Sequence, residues 1–222
     1  MSDEKPLSRA KRELLLAAER LFAARGIEAV SLREIAEAAG SRNNNAVQYH
    51  FAGREGLMAA IYAMRVADME DARQTMLAKA EAEGRLGDSL VLLQILCLPH
   101  LALRAEDGSH PYAGFLAHYV MRHWQAPASE LGAAGVGPAQ QKVLRLIAAT
   151  LGDVPPALAR SRSMLALLLF LNALLRWDHI DRNREGLTAA TMLGDALYSA
   201  HAALRQSPSG EGPLFFAAML ES

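Results

Sequence analysis

The stretch Ser31-Leu32-Arg33-Glu34-Ile35-Ala36-Glu37-Ala38-Ala39-Gly40 carries its own start and stop signals for one short helix. Ser31 and Glu34 have the spacing of a capping box, in which the serine hydroxyl accepts an orphan amide and the glutamate reaches back to the serine N–H. Leu32, Ile35, Ala36 and Ala39 share one face of that helix, and Gly40 ends it. Upstream, Leu14, Ala18, Leu21 and Phe22 recur at helical spacing between Ser8 and Arg25, with Gly26 as the stop. Downstream, the polar run Ser41-Arg42-Asn43-Asn44-Asn45 leads into a third helical stretch, Asn45 to Phe51, anchored by Val47 and Phe51. Gly53 interrupts. A long helix then opens near Arg54 and runs through Leu57, Ile61, Met64, Asp68 and Leu77 towards Gly84.

Beyond Gly84 the pattern predicts helices over roughly 88–104, 110–125, 137–151, 156–180 and 188–206. Asp107-Gly108, the Gly132-to-Pro138 stretch, Pro155-Pro156 and Asn183 to Gly186 separate them. Pro99 falls inside a helical run and should kink it. Alanine and leucine dominate, β-branched residues are sparse, and no strand or internal repeat is legible. The fold class expected is all-α: a three-helix N-terminal unit joined by a long helix to a larger helical body. The division expected is a flexible N-terminus at 1–7, the three-helix domain at 8–53, the body at 54–206, and a linker with an apolar tail at 207–222.

Hydrophobic residues make up 51% of the 222, enough for a real core, so global disorder is not expected. The single cysteine, Cys97, cannot form an intramolecular disulfide. Met1 to Pro6 lacks the apolar core of a signal peptide. The most apolar run, Met164 to Leu175, is short for a bilayer and is flanked by Arg162 and Arg176. A cytoplasmic protein with no membrane partner is expected. The net charge is −1, yet residues 1–54 hold nine basic side chains against seven acidic ones, so the positive surplus lies at the N-terminal end. No phosphate loop, nucleophile elbow or paired-carboxylate motif appears. His118 and His123 are five apart, off the spacing that puts two imidazoles on one helical face. Catalysis, cofactor and metal are therefore not expected.

Ser31 to Gly40, followed by Val47-Gln48-Tyr49-His50-Phe51 and Arg54-Glu55-Gly56-Leu57, resembles the N-terminal domain of the TetR family of transcriptional regulators over about residues 8–65. The resemblance implies a helix-turn-helix over 8–53 and a double-stranded DNA operator as partner. The residue chemistry agrees. A recognition helix needs hydrogen-bonding side chains at its N-terminal end to reach base edges in the major groove. Arg42, Asn43, Asn44, Asn45 and Gln48 supply them, and Tyr49 and His50 suit phosphate oxygens. Arg54, at a helix mouth, is expected to grip a phosphate. By resemblance, Ser31 and Arg33 also approach the DNA backbone. The loop holds one residue more than the commonest family spacing, with Ser41 where a small apolar residue is usual.

In the body, Gln94, His100, Tyr112, His118, Tyr119, Trp124, Asn172 and Trp177 sit among apolar neighbours. A mostly apolar pocket with a few placed polar groups is what a small-molecule site requires, so these are the candidate ligand residues. Few interior charges are expected, which favours an uncharged or weakly polar effector; Arg176 beside Trp177 would receive a carboxylate if it faced inward. Leu168 and Leu175, with Leu193, Ala196, Leu197, Ala200 and Leu204, form apolar stripes that fit either intrachain core or a symmetric dimer seam. The resemblance implies the homodimer. The function expected is a ligand-responsive regulator, a repressor by the family's habit, that binds a pseudo-palindromic operator as a dimer. The alternative is an all-helical small-molecule-binding protein or enzyme that does not use DNA.

Overall fold

The computed structural model describes residues 7–123, 136–152, 154–180 and 186–206. Among them the chain is helical throughout, with no strand. The nine helices are α1 (Arg9–Arg25), α2 (Leu32–Ala38), α3 (Ala46–Phe51), α4 (Arg54–Ala82), α5 (Ser89–Cys97), α6 (Pro111–Arg122), α7 (Pro138–Thr150), α8 (Pro156–His179) and α9 (Ala189–Arg205). The kink expected at Pro99 is a change of helix type: α5 gives way to a 3-10 turn, Leu98–Ala102. The tail expected at 207–222 and the candidate ligand residue Trp124 lie outside the described residues.

The capping box forms as the sequence requires. Ser31 Oγ accepts from Glu34 N at 3.2 Å, and Glu34 Oε2 accepts from Ser31 N at 2.8 Å. Such a cap stabilises a short helix by about 1 kcal/mol. At the other end Gly40 takes a φ of 68°, and Ser41 N returns to Ala36 O at 2.9 Å. That is the six-to-one closure of a left-handed helix stop.

The α3–α4 junction depends on a missing side chain. A Cβ on Gly56 would lie 1.8 Å from the Phe51 carbonyl oxygen, so the first turn of α4 can ride over the end of α3 only with glycine there. From this junction α4 runs 29 residues, roughly 44 Å at 1.5 Å per residue, out of the three-helix unit and through the body. Glu19 on α1 and Arg65 on α4 form a buried bidentate pair (2.6 and 2.7 Å), which Arg65 extends to Asp68 at 3.1 Å.

A single hydrophobic core runs from Leu14 to Leu204, so the N-terminal unit and the body are packed together. Their main seam is α1 on α6. Gly114 permits the close approach, since a Cβ there would meet the Ala23 Cβ at 3.0 Å. α8 lies along α9, and Arg162 near the start of α8 donates to the Leu204 and Gln206 carbonyls at the far end of α9. α8 is long and apolar enough to cross a membrane by length and composition, with 33% of its most apolar window buried. That burial comes from α9, α6, α5 and α7, against which α8 packs.

Candidate nucleic-acid interface and an internal cavity

Ala46 and Val47 bury one side of α3, and Phe51 packs beside them. The opposite side faces outward. Arg42, Asn43, Asn44, Asn45, Gln48 and Tyr49 are exposed, Tyr49 to 80%, and His50 is half-buried against the Tyr49 ring. Ser31 and Arg33 are exposed on the neighbouring helix, where Arg33 pairs with Glu37 at 2.8 Å.

The three asparagines divide by task. Asn43 builds the turn: its Oδ1 accepts from Asn45 N at 2.9 Å, while its backbone N–H donates to Ser41 Oγ at 3.2 Å. Ser41, at the polar departure from the family spacing, thus closes the lengthened loop. Among the described residues, the side chains of Arg42, Asn44, Asn45, Gln48 and Tyr49 make no hydrogen bond or ion pair. They are available to a partner.

Arg54, expected to grip a phosphate, has partners within the protein. Its Nη1 donates to the Val30 carbonyl at 2.8 Å and also to that of Ile27, and its guanidinium carbon lies 6.0 Å from the Phe22 ring centre. The half-buried charge ties the α1–α2 connection to the start of α4. Two carbonyls left without amide partners outcompeted solvent for the guanidinium.

The body encloses a cavity of about 580 Å³. Of the expected ligand residues, His100, Tyr112 and Tyr119 line it. Four do not. His118 is exposed on α6, Asn172 is exposed on α8 with its Nδ2 donating to Leu168 O at 2.8 Å, and Gln94 and Trp177 are half-buried away from the lining. Arg176 is exposed and also outside the lining.

The expectation of an interior poor in charge is corrected by Arg73. It lines the cavity at 1% exposure, with Nη1 donating to Gln140 Oε1 at 2.8 Å. Gln140 Nε2 in turn donates to Tyr62 Oη at 2.9 Å, so three side chains form one polar strip along an otherwise apolar wall. Burial pushes the Arg73 guanidinium below its usual range. His100, its Nδ1–H donated to Cys97 O at 2.9 Å, is held down to about 3 by burial and by Arg73, and is neutral at physiological pH. Sequence reasoning passed over Arg73, Tyr62 and Gln140. The available signal was register: Arg73 falls four residues after Met69 and four before Leu77, on the buried stripe of α4.

The residues expected at a dimer seam are packed within the chain. Leu193, Ala196, Leu197, Ala200 and Leu204 are buried within the single chain, and Leu168 and Leu175 are partly buried against the same core. The open face of α8 and α9 carries Leu165, Leu169 and Tyr198, at 52%, 36% and 66% exposure. One residue of phase separates the two faces, because α8 takes one stripe of α9 for its own packing.

A three-helix unit with an outward-facing row of free amide and guanidinium groups, set on a helical body, is the architecture of a helix-turn-helix DNA-binding protein. Residues 14–61 match the family model of the bacterial regulatory proteins, tetR family. This N-terminal unit is therefore similar to the DNA-binding domain of tetR-family regulators. Among solved structures, a Mesorhizobium loti chain described as TetR-family shares 19% identity over 89% of this chain and 98% of its own, with a TM-score of 0.48. A TetR-family regulator of Streptomyces coelicolor shares 18% over 90% and 98%, at 0.45. One from Pectobacterium atrosepticum shares 19% over 90% and 96%, at 0.43. No curated protein matches the chain.

Proposed function

We propose that the protein is a cytoplasmic, ligand-responsive repressor that binds a pseudo-palindromic operator as a homodimer and leaves it when a small organic molecule fills the cavity. The observation that carries this reading is the placement of α6. Tyr112, Leu116, Tyr119 and Val120 of α6 line the cavity, and its last turn holds the DNA-binding domain. There Arg122 pairs with Glu28 and, at 2.7 Å, with Glu55, and His123 lies 3.7 Å from Glu55. At its first turn, His110 donates both its backbone N–H and Nδ1 to Asp178 of α8, each at 2.7 Å. A helix gripped at both ends converts a change in the cavity wall into a shift of the domain it holds.

Two such domains read two half-sites only if their separation matches a groove repeat of ~34–36 Å or a multiple. A ligand that binds better when that separation is wrong lowers DNA affinity by its preference between the two states. The apolar face at Leu165, Leu169 and Tyr198 supports pairing of α8 and α9 with their symmetry mates. The protein acts by binding, and the rival reading without DNA leaves the free row from Arg42 to Tyr49 without a purpose.

The test is selection of bound fragments from a genomic pool, followed by gel shifts with variants. Asn44→Ala and Gln48→Ala should reduce the preference for selected over random DNA about 10-fold or more per half-site, the scale of one lost bidentate contact. Equal losses on both DNAs would refute base reading by these residues. Arg122→Ala should leave operator affinity near wild type and blunt the response to any compound that releases the wild-type protein. An unchanged response would remove α6 from the route.

A further inference from the structure

The proposed reading leaves the effector's chemistry open, and the cavity narrows it. Arg73 is a buried cation that no carboxylate hydrogen-bonds among the described residues; Glu70 acts on it only through space, and Glu70 Oε2 is itself buried without a hydrogen-bond partner there. Among the described residues no acidic side chain pairs with it, and its contacts are neutral: Gln140 Oε1 at 2.8 Å, the Leu96 carbonyl at 3.5 Å and the Met69 sulfur at 3.6 Å. Its Nε is buried with no hydrogen-bond partner among the described residues. The Tyr112 hydroxyl, on the same cavity wall, is likewise buried and without a hydrogen-bond partner among the described residues. Buried polar groups are normally satisfied, and a buried charge without a counter-ion is costly, so two orphan donors lining one cavity indicate a missing acceptor.

Glu70, one turn earlier on α4, does not fill that role. It is absent from the lining, and its Oε1 accepts from Ala139 N at 2.6 Å. It is boxed in beneath the start of α7, where a Cβ on Gly137 would come within 2.2 Å of Oε2. The rest of the wall is apolar, with Leu116, Val120, Met164 and Leu167 facing the space. At the solvent end, Arg145 and Arg160 are exposed lining residues that make no ion pair among the described residues. They add positive potential at the mouth, which favours entry of an anion.

We propose that the effector is an amphipathic organic carboxylate, its carboxylate held by Arg73 and the Tyr112 hydroxyl and its apolar body lying along α6 and α8. This rests on the ligand-responsive reading of the same cavity. A guanidinium fork and a phenol donor match the lone pairs of one carboxylate. A neutral amide of identical shape leaves the cation uncompensated. The preference for acid over amide is therefore the signature, whatever the length of the apolar part.

The experiment uses the full chain and three matched pairs: benzoate, 4-phenylbutanoate and dodecanoate, each against its primary amide, with binding followed by thermal shift and calorimetry. At least one acid is expected to raise Tm and to bind tenfold or more tighter than its amide. Arg73→Met should bring that ratio close to one. Tyr112→Phe, which removes a hydroxyl that has no partner, should keep the ligand-free Tm and weaken acid binding roughly tenfold. If no acid outperforms its amide, or if the preference survives both substitutions, the proposal is overturned. Operator release is read separately. An acid that binds through Arg73 without releasing DNA upholds the carboxylate site and sinks the ligand-responsive reading. Release by the amides alone does the reverse.

Discussion

Arg54 and Glu34 illustrate how much a single side chain's role depends on what the backbone nearby lacks. The Ile27 and Val30 carbonyls lie in the connection between α1 and α2, and Arg54 satisfies both. Removing it leaves two part-buried acceptors without a donor, each costing about 1–3 kcal/mol if water does not replace the guanidinium. Arg54→Ala should therefore lower unfolding stability measurably in urea while the salt slope of DNA binding stays as in wild type. A slope reduced by about 1 per half-site with unchanged stability would restore Arg54 as a phosphate ligand. Glu34 carries a pH signature. The Ser31 N–H, and after it the Arg25 guanidinium at 2.8 Å, pull its carboxyl from about 4.5 down to about 2. The folded value lies below the unfolded one, so the capping contribution is complete above pH 4.5 and is lost as the pH falls towards 2. An acid titration of the Glu34→Gln variant should show a shallower stability loss than wild type in that window, and superimposable curves would contradict it.

At the scale of elements, the packing of α1 on α6 joins the N-terminal unit to the body, and in the proposed mechanism it carries the domain with the body. The seam is tight at Gly114, where a Cβ would stand 3.0 Å from that of Ala23, and the charged lock of Arg122 with Glu28 and Glu55 closes its end. Gly114→Ala forces a few tenths of an ångström between two helices in a close-packed seam, whereas Gly114→Leu must pry them apart at about 1–3 kcal/mol. The leucine variant should lose thermal stability and also bind operator less well without any effector, because it holds the domain off its native angle. Wild-type DNA affinity in a destabilised Gly114→Leu protein would mean that α1 and α6 do not set the spacing.

For the whole molecule, burial within the chain separates residues that hold the fold from those open to a second copy. Leu197, at 7% exposure, belongs to the core, so Leu197→Arg buries an unpaired charge and should unfold the protein rather than merely separate subunits. Leu165 and Tyr198 lie open on α8 and α9. Leu165→Arg combined with Tyr198→Arg should yield a folded monomer by sedimentation and circular dichroism, with operator binding weakened towards that of one half-site. A folded dimer of wild-type affinity would place the interface on another face.

What the amino-acid order determined by itself is the helix-turn-helix and the boundaries of most helices. The signals there are local: Ser31 and Glu34 are three residues apart, Gly26 and Gly40 mark stops where φ is positive, and Ala46, Val47 and Phe51 anchor one side of a helix whose other side is polar. Contacts within a turn or two of chain depend little on what the rest of the molecule does. The cavity and the apolar outer face were decided only by tertiary structure. Arg73 meets Gln140 across 67 residues, and Tyr62 meets the same glutamine across 78. His118 and Tyr119 are adjacent on α6, yet one faces water and the other the cavity. Leu197 and Tyr198 are adjacent on α9, yet one is core and the other surface. In a helix that is apolar on several sides, the sequence leaves the rotation about the axis nearly degenerate, and packing against neighbours distant in the chain selects which side is buried.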